Sequence, residues 1–176
     1  MILGRLTGRL LHLQKTSNRL GQFARILVTQ TRPADRNRFR RGLTACAILF
    51  CAAPLGILGA VQDGLPVAGA PSGYYQPLAV KAVMDGLAML GFVTIFGGGA
   101  ILSALPVLVL QGAITLATNL YLEPFLRMHG LLDSVTTAVG LLLCVIGAVI
   151  FEIKRVELAD YLPGVLVAPL ITWFWK

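Results

Sequence analysis

Charge is scarce in this sequence. Of its 176 residues, 13% are Asp, Glu, Lys or Arg and 56% are hydrophobic, whereas a soluble domain typically carries about 25% charged residues. A soluble surface needs charge to stay dispersed, so the deficit excludes a water-facing exterior and points to lipid as the outer solvent. Acids are scarcer still, eight against fifteen Lys and Arg, with none before Asp35. Cysteine occurs three times, as Cys46, Cys51 and Cys144, each inside an apolar run. Cys46 and Cys51 stand five apart, off a shared helix face, and no metal-ligand spacing appears. A disulfide framework is therefore excluded, and the three read as small packing residues. His12 and His129 are the two histidines, far from any metal-binding spacing. There is no nucleophile elbow and no phosphate-cradling loop before a helix. Neither an enzyme nor a cofactor nor a metal is expected.

What is abundant is positive charge at the start: ten of the fifteen Lys and Arg lie in the first 41 positions. A basic tail suits nucleic acid, anionic lipid or an acidic partner. Beside membrane spans, anionic lipid headgroups are the simplest partner, and no nucleic acid is expected. Leu3, Leu6, Leu10, Leu13, Leu20, Phe23 and Leu27 recur at three- and four-residue steps, with Arg5, Arg9, His12 and Arg19 opposite. The spacing predicts an amphipathic helix over 1–30, lying in the headgroup plane. Thr16-Ser17-Asn18 is expected to divide it and Pro33-Ala34-Asp35 to stop it. Arg36, Arg38, Arg40 and Arg41 then form a cationic collar. Residues 1–35 thus read as a basic interfacial segment and 36–176 as a transmembrane helical domain. An Arg-rich start without acids also fits an organelle transit peptide; a cleaved secretory signal does not, because the charged region is too long.

Five apolar spans are predicted, at about 42–61, 78–96, 104–120, 134–151 and 161–175, each near the roughly 20 residues a bilayer requires. Pro54 should kink the first. Ala52, Gly56, Ala60 and Gly64 follow it at four-residue steps, a small-residue stripe that lets another helix approach closely. The loop 65–78 holds no Lys, Arg, Asp or Glu. Gly97-Gly98-Gly99 breaks the chain, either as a turn or as a re-entrant hairpin. Pro106 falls in the first turn of the third span, where proline is tolerated, and Glu123-Pro124 is expected to end it. Trp173 and Trp175 suit the interfacial belt. The positive-inside rule places both the basic N-terminus and the Lys154-Arg155 turn in the cytoplasm and, with five spans, the C-terminus outside. The expected location is the inner membrane.

A charge inside a membrane costs about 2.5–3.5 kcal/mol at mid-span on insertion scales. Asp63 closes the first span, and Asp85 lies two turns into the second, four residues after Lys81. All three are expected toward the outer side. They read either as interfacial charges reaching water or as the lining of an ion or proton path. Gln62 stands beside Asp63. Gln111, Thr115 and Asn119 form a polar stripe on the third span. Facing lipid, the Gln111 amide would be unsatisfied, so it faces protein or water, as a helix-to-helix hydrogen bond or as part of a path. Helix breaks at Pro54, Gly97–Gly99 and Pro106 suit the discontinuous helices of transporters. Two functions follow. One is a small-solute or ion transporter or channel. The other is a non-catalytic structural subunit or assembly factor, whose small-residue stripe docks a second copy or a partner membrane protein.

The run Phe50-Cys51-Ala52-Ala53-Pro54-Leu55-Gly56-Ile57-Leu58-Gly59-Ala60-Val61-Gln62-Asp63-Gly64 resembles the signature of the bacterial membrane proteins with domain of unknown function 554, the YqgA-like family. Lys81-Ala82-Val83-Met84-Asp85-Gly86 is similar to a second family motif, usually with Ser in place of Ala82. Ser103 to Leu108 with Gln111-Gly112 and Ile114-Thr115 resembles a third, and Ile153-Lys154-Arg155 with Leu162-Pro163 a fourth. The resemblance covers about 36–175. It implies a multi-span inner-membrane protein, often described as a transporter, with no established substrate. Members usually carry further hydrophobic helices before the amphipathic segment, so an N-terminal part is expected to be absent here.

Overall fold

The computed structural model describes residues 2–30, 37–66, 75–150 and 157–175. Ten α-helices follow one another among them: α1 Ile2–Leu10, α2 Leu13–Gln30, α3 Arg38–Cys51, α4 Pro54–Gly64, α5 Gln76–Phe96, α6 Gly98–Leu102, α7 Ala104–Ala117, α8 Glu123–Met128, α9 Leu132–Ile150 and α10 Gly164–Trp175. No strand occurs among the described residues. Four stretches are long and apolar enough to cross a membrane: Gln76–Phe96, Gly98–Met128, Leu132–Val149 and Leu158–Trp175. The pair α3 and α4, bent by 59°, has the length and composition of a fifth if it is taken as one broken span. The molecule is an all-α helical bundle.

Its packing is inverted relative to a soluble protein. Buried contact positions are often small, as at Ala24, Ala45, Ala60 and Ala100, while Leu87, Leu90, Leu108 and Val109 stand exposed. Lipid tails are as apolar as leucine, so close approach at small residues adds to the packing of the large side chains that are buried.

Contacts between helices fix their directions. Gly56 faces Lys81 and Gly59 faces Leu78, so α4 and α5 are antiparallel. Thr115 Oγ1 donates to the Ala60 carbonyl at 3.1 Å, and Asn119 Nδ2 points to the Gly64 carbonyl at 3.5 Å. α4 and α7 are therefore parallel, with one span between them. Gly97, at φ 65°, is accordingly the turn between the antiparallel helices α5 and α7. A left-handed φ of this kind costs glycine least. Ser134 and Thr172 pair at 2.8 Å, joining the start of α9 to the end of α10 as a second antiparallel pair.

Pro54 bends its span as expected: it sits in the first turn of α4, after Ala53 in an extended conformation. Ala52 consequently belongs to the break, as the C-cap of α3, and not to a continuous stripe with Gly56, Ala60 and Gly64. The two halves of the bent span join different apolar clusters. Leu58 of α4 and Leu65, its C-cap, pack with Leu126, Val135, Val139, Leu142 and Ile146. Phe50 of α3 packs with Ala24, Ala45, Cys46, Phe96 and Ala100.

Other boundaries differ from the sequence expectation. Glu123-Pro124 does not end its helix. The wide turn Thr118–Leu122 is a π-helix, and it lets the chain absorb a proline that lacks an N–H and crowds the carbonyl four residues back. The stop comes at Gly130, φ 64°, where Leu131 N–H bonds to Leu126 C=O and Gly130 N–H to Arg127 C=O, closing the helix end. The N-terminal segment divides at Leu11–His12, where His12 has φ 53°, and Thr16-Ser17-Asn18 lie inside α2. Lipid alone does not hold that segment. α1 presses Gly4 on Gly164 and Gly8 on Asp160, and Ala24, Leu27 and Val28 of α2 pack into the cluster around α3. The collar's Arg36, the stop at Pro33–Asp35 and the Lys154-Arg155 turn lie outside the described residues.

Candidate functional site

The polar residues of the spans meet at the break in the bent helix. Lys81, in the second turn of α5, is buried, and its ammonium pairs with Asp85 one turn on. The ion pair is possible there because Gly56 has no side chain. A Cβ at that position would sit 2.6 Å from Lys81 Cε and 2.7 Å from Gln111 Nε2. Lys81 and Gln111 therefore approach α4 from two different helices at one residue. The Lys81 ammonium also lies 5.9 Å from the centre of the Phe50 ring, the last aromatic of α3 before the break.

Depth separates the two acids. α5 begins at Gln76, so Asp85 stands at its midpoint, about 14 Å along the helix at 1.5 Å per residue. That length is about half the thickness of a hydrocarbon layer of about 30 Å. Asp63 lies about 10 Å along α4 from Gly56, away from Lys81 and Asp85. The structure brings together Lys81, Asp85 and Gln111, and leaves Asp63 apart.

Thr115 and Asn119 extend the stripe of Gln111 along α7. They fall opposite Ala60 and Gly64, so the small-residue stripe is filled by a helix of the same chain. Thr115 tightens that contact through the Ala60 carbonyl. Gln111 is the member left over: its Nε2 is buried with no partner. Gln62 is buried as well, and its Oε1 has no partner.

Two cavities adjoin the pair. One of about 200 Å³ is lined by Ala53, Pro54 and Leu55 at the break, with Lys81, Met84, Asp85, Ile146 and Leu158. The other, of about 470 Å³, opens between α5 and α7 and is lined by Phe50, Asp85, Gly86, Met89, Leu105 and Gln111 among others. Asp85 belongs to both. The positive end of the α4 dipole thus borders a space that also holds a buried ammonium, a carboxylate and, next door, an unpartnered amide.

The basic residues expected at lipid headgroups divide. Arg40 is exposed and Arg41 donates to the Gln30 carbonyl at 3.2 Å. Both border a cleft with Phe23, Leu27 and Thr44. Arg9 and Arg19 are exposed. Arg38 instead donates to the Ile95 and Thr94 carbonyls at 2.5 and 2.7 Å, satisfying the free carbonyls at the C-terminus of α5. Arg5 stacks on Tyr161 at 5.6 Å.

Two residues escaped the sequence reading. Asp160 is buried, and its Oδ1 accepts the Gln14 N–H at 3.0 Å in the first turn of α2. The Gln14 Oε1 in return accepts the Ala159 N–H at 3.2 Å. Each side chain caps the other's helix start, 146 residues away. Asp160 looked like one more charge in a polar turn; only its place directly before Tyr161-Leu162-Pro163 could have signalled a packed position.

A family model described as "Protein of unknown function (DUF554)" matches residues 1–173. The match therefore includes the basic segment, beyond the 36–175 that the motifs covered. The uncharacterized membrane protein YdfK of Bacillus subtilis (strain 168) is 26% identical over 171 residues, 97% of this chain and 67% of YdfK. The uncharacterized protein YqgA of Escherichia coli (strain K12) is 29% identical over 176 residues, 99% of this chain and 71% of YqgA. No solved structure matches.

Proposed function

This chain belongs to the DUF554 family, and from that premise we propose that it is a transporter of a small solute or ion, working through the Lys81–Asp85 pair. One observation carries the proposal: a buried ammonium and a carboxylate pair at the midpoint of a span, against a broken helix and an unpartnered amide. Intramembrane charge is costly and marks ion and substrate pathways, and broken helices with paired end-groups build midplane binding sites. The pair does no evident structural work that two apolar side chains would not do as well. Gln62, Asp63, Thr115 and Asn119 contribute to the path or to its packing, and no chemical conversion of the substrate is required.

Orientation follows from charge. The end of the bundle where α3 begins carries Arg9, Lys15, Arg38, Arg40 and Arg41 with Glu157 and Asp160, and the other end carries Asp63, Glu123 and Asp133 with Arg127. By the positive-inside rule the first end is cytoplasmic, the membrane is the inner membrane, and the C-terminus lies outside. Exposed Arg40 and its neighbours meet anionic headgroups there.

The test is solute and ion flux into liposomes containing the chain, compared with its Asp85→Asn variant. Flux above protein-free vesicles, altered by the substitution, supports the reading; a well-folded chain that moves nothing ends it.

A second reading, as a structural subunit or assembly factor, draws on a different face from the stripe at Gly56. Gly86 of α5 and Gly112 of α7 each have open space before them, where another membrane helix can approach closely. Gly86→Leu should then abolish association measured by cross-linking in membranes; a chain that never cross-links removes this reading.

A further inference from the structure

Resting on that transport reading, we infer that the site takes a small monovalent anion together with one proton, the proton being carried by Asp85. The empty site is neutral, because Lys81 and Asp85 cancel, and this balance governs what enters. A cation would have to displace Lys81 from Asp85, leaving two positive charges against one carboxylate in a medium of low dielectric. Among the described residues that line the two cavities it would find no second acid, and Asp63 lies about 10 Å away along α4. An anion has the easier exchange. It displaces Asp85 from Lys81 and keeps the ammonium as its partner. It also meets the positive end of α4 at Pro54 and Leu55, which line the same cavity. The buried Gln111 Nε2, which has no partner in the empty site, is a donor placed beside Lys81 at Gly56.

Displacement leaves Asp85 beside an incoming negative charge, and a proton resolves that conflict. Among the described residues, the groups facing Asp85 supply no counter-charge besides Lys81. Lys81 comes from its own helix and the Cys51 thiol of α3 lies within electrostatic reach of both. Gln111 of α7 is neutral. Pro54 and Leu55 of α4, Ile146 of α9 and Leu158 are apolar. The bookkeeping closes: Lys81 ammonium with Asp85 carboxylate becomes Lys81 ammonium with anion plus Asp85 carboxylic acid. One proton and one anion enter, and the net charge of the site stays zero in both states. Loading and release are therefore electroneutral.

The experiment uses the full chain in liposomes holding a pH-sensitive dye, with an inward gradient of lactate or of chloride and protein-free vesicles as the blank. The expected result is acidification of the lumen beyond the blank, at a rate that clamping the membrane potential does not change. Asp85→Asn mimics the protonated acid, so it should carry the anion without the proton. Acidification is then lost and anion uptake becomes voltage-dependent. Lys81→Gln should weaken anion uptake about tenfold or more, as loss of a charge-assisted contact does. Because that variant also strands Asp85, the uncoupling by Asp85→Asn is the decisive arm. An Asp85→Asn chain that still acidifies like the parent overturns the role of Asp85. Sodium or potassium gradients that drive flux indifferent to any anion overturn the anion assignment and leave the transport reading standing. A monodisperse, helical parent chain that moves neither anion nor cation overturns both.

Discussion

Gly56 acts through what it lacks. Two side chains from two helices occupy the space that a Cβ would need, and this is the one place where the ammonium of Lys81 and the amide of Gln111 come together. Gly56→Ala should gain about 1 kcal/mol of helix propensity yet force Lys81 and Gln111 apart. The chain should insert and stay folded while flux in liposomes falls by about tenfold or more, on the order expected for a displaced charge-assisted contact. The ion pair makes a second prediction. Removing Asp85 alone strands a buried ammonium, at a cost of about 3 kcal/mol in unfolding. The double variant Lys81→Met with Asp85→Leu should recover most of that loss, measured as melting temperature in detergent, while transport stays absent. Recovery of stability without recovery of flux would separate the pair's function from its packing. Sequence polarity alone picked out Lys81, Asp85 and Gln111, because lipid tolerates none of them unpaired. It could not set Asp63 apart, since depth depends on where α5 begins, and an uncharged loop leaves that start free to move by a turn.

Helix ends were harder to read than helices. The break at Pro54 and the turn at Gly97 were legible because proline and glycine change the backbone directly. The wide turn at Thr118–Leu122 was not: whether Pro124 stops a helix or is absorbed depends on packing around it. The hidden end is at Gln14 and Asp160, where the cap comes from the far end of the chain. Asp160→Ala should cost about 1 kcal/mol, the usual loss for an N-cap, and should raise hydrogen exchange at the start of α2 above that elsewhere in the helix. Unchanged exchange at Gln14 would show that the cap holds nothing. Arg38 makes a parallel case at the C-terminus of α5. Its guanidinium looked like part of a lipid-facing collar because sequence shows charge and spacing but not which carbonyls lie free.

The bundle as a whole was legible in class, an all-α set of four to five candidate spans, since long apolar runs admit little else. Its interior order was not. Polar and small residues four apart on two separate spans were both visible, but nothing in the sequence joined Thr115 to Ala60. The arrangement of ends can be checked directly. In a chain with Cys46, Cys51 and Cys144 replaced by Ala, Arg40→Cys and Arg127→Cys should react with an impermeant thiol reagent from opposite sides of sealed vesicles. Labelling of both from one side would break the alternation of spans. Cys144, exposed on α9, should in the parent chain react with lipid-soluble reagents far faster than with water-soluble ones.

The exchange of caps between Gln14 and Asp160 sets an order of events in synthesis. A ribosome releases the N-terminal end of α2 long before residue 160 exists, at about 5–20 residues per second. Until then the start of that helix has no partner for its first amides, and the contact that completes it has one of the longest sequence separations in the chain. Such distant contacts form late. The basic segment is therefore made well before it settles, and the arrival of the chain around Asp160 is what locks it.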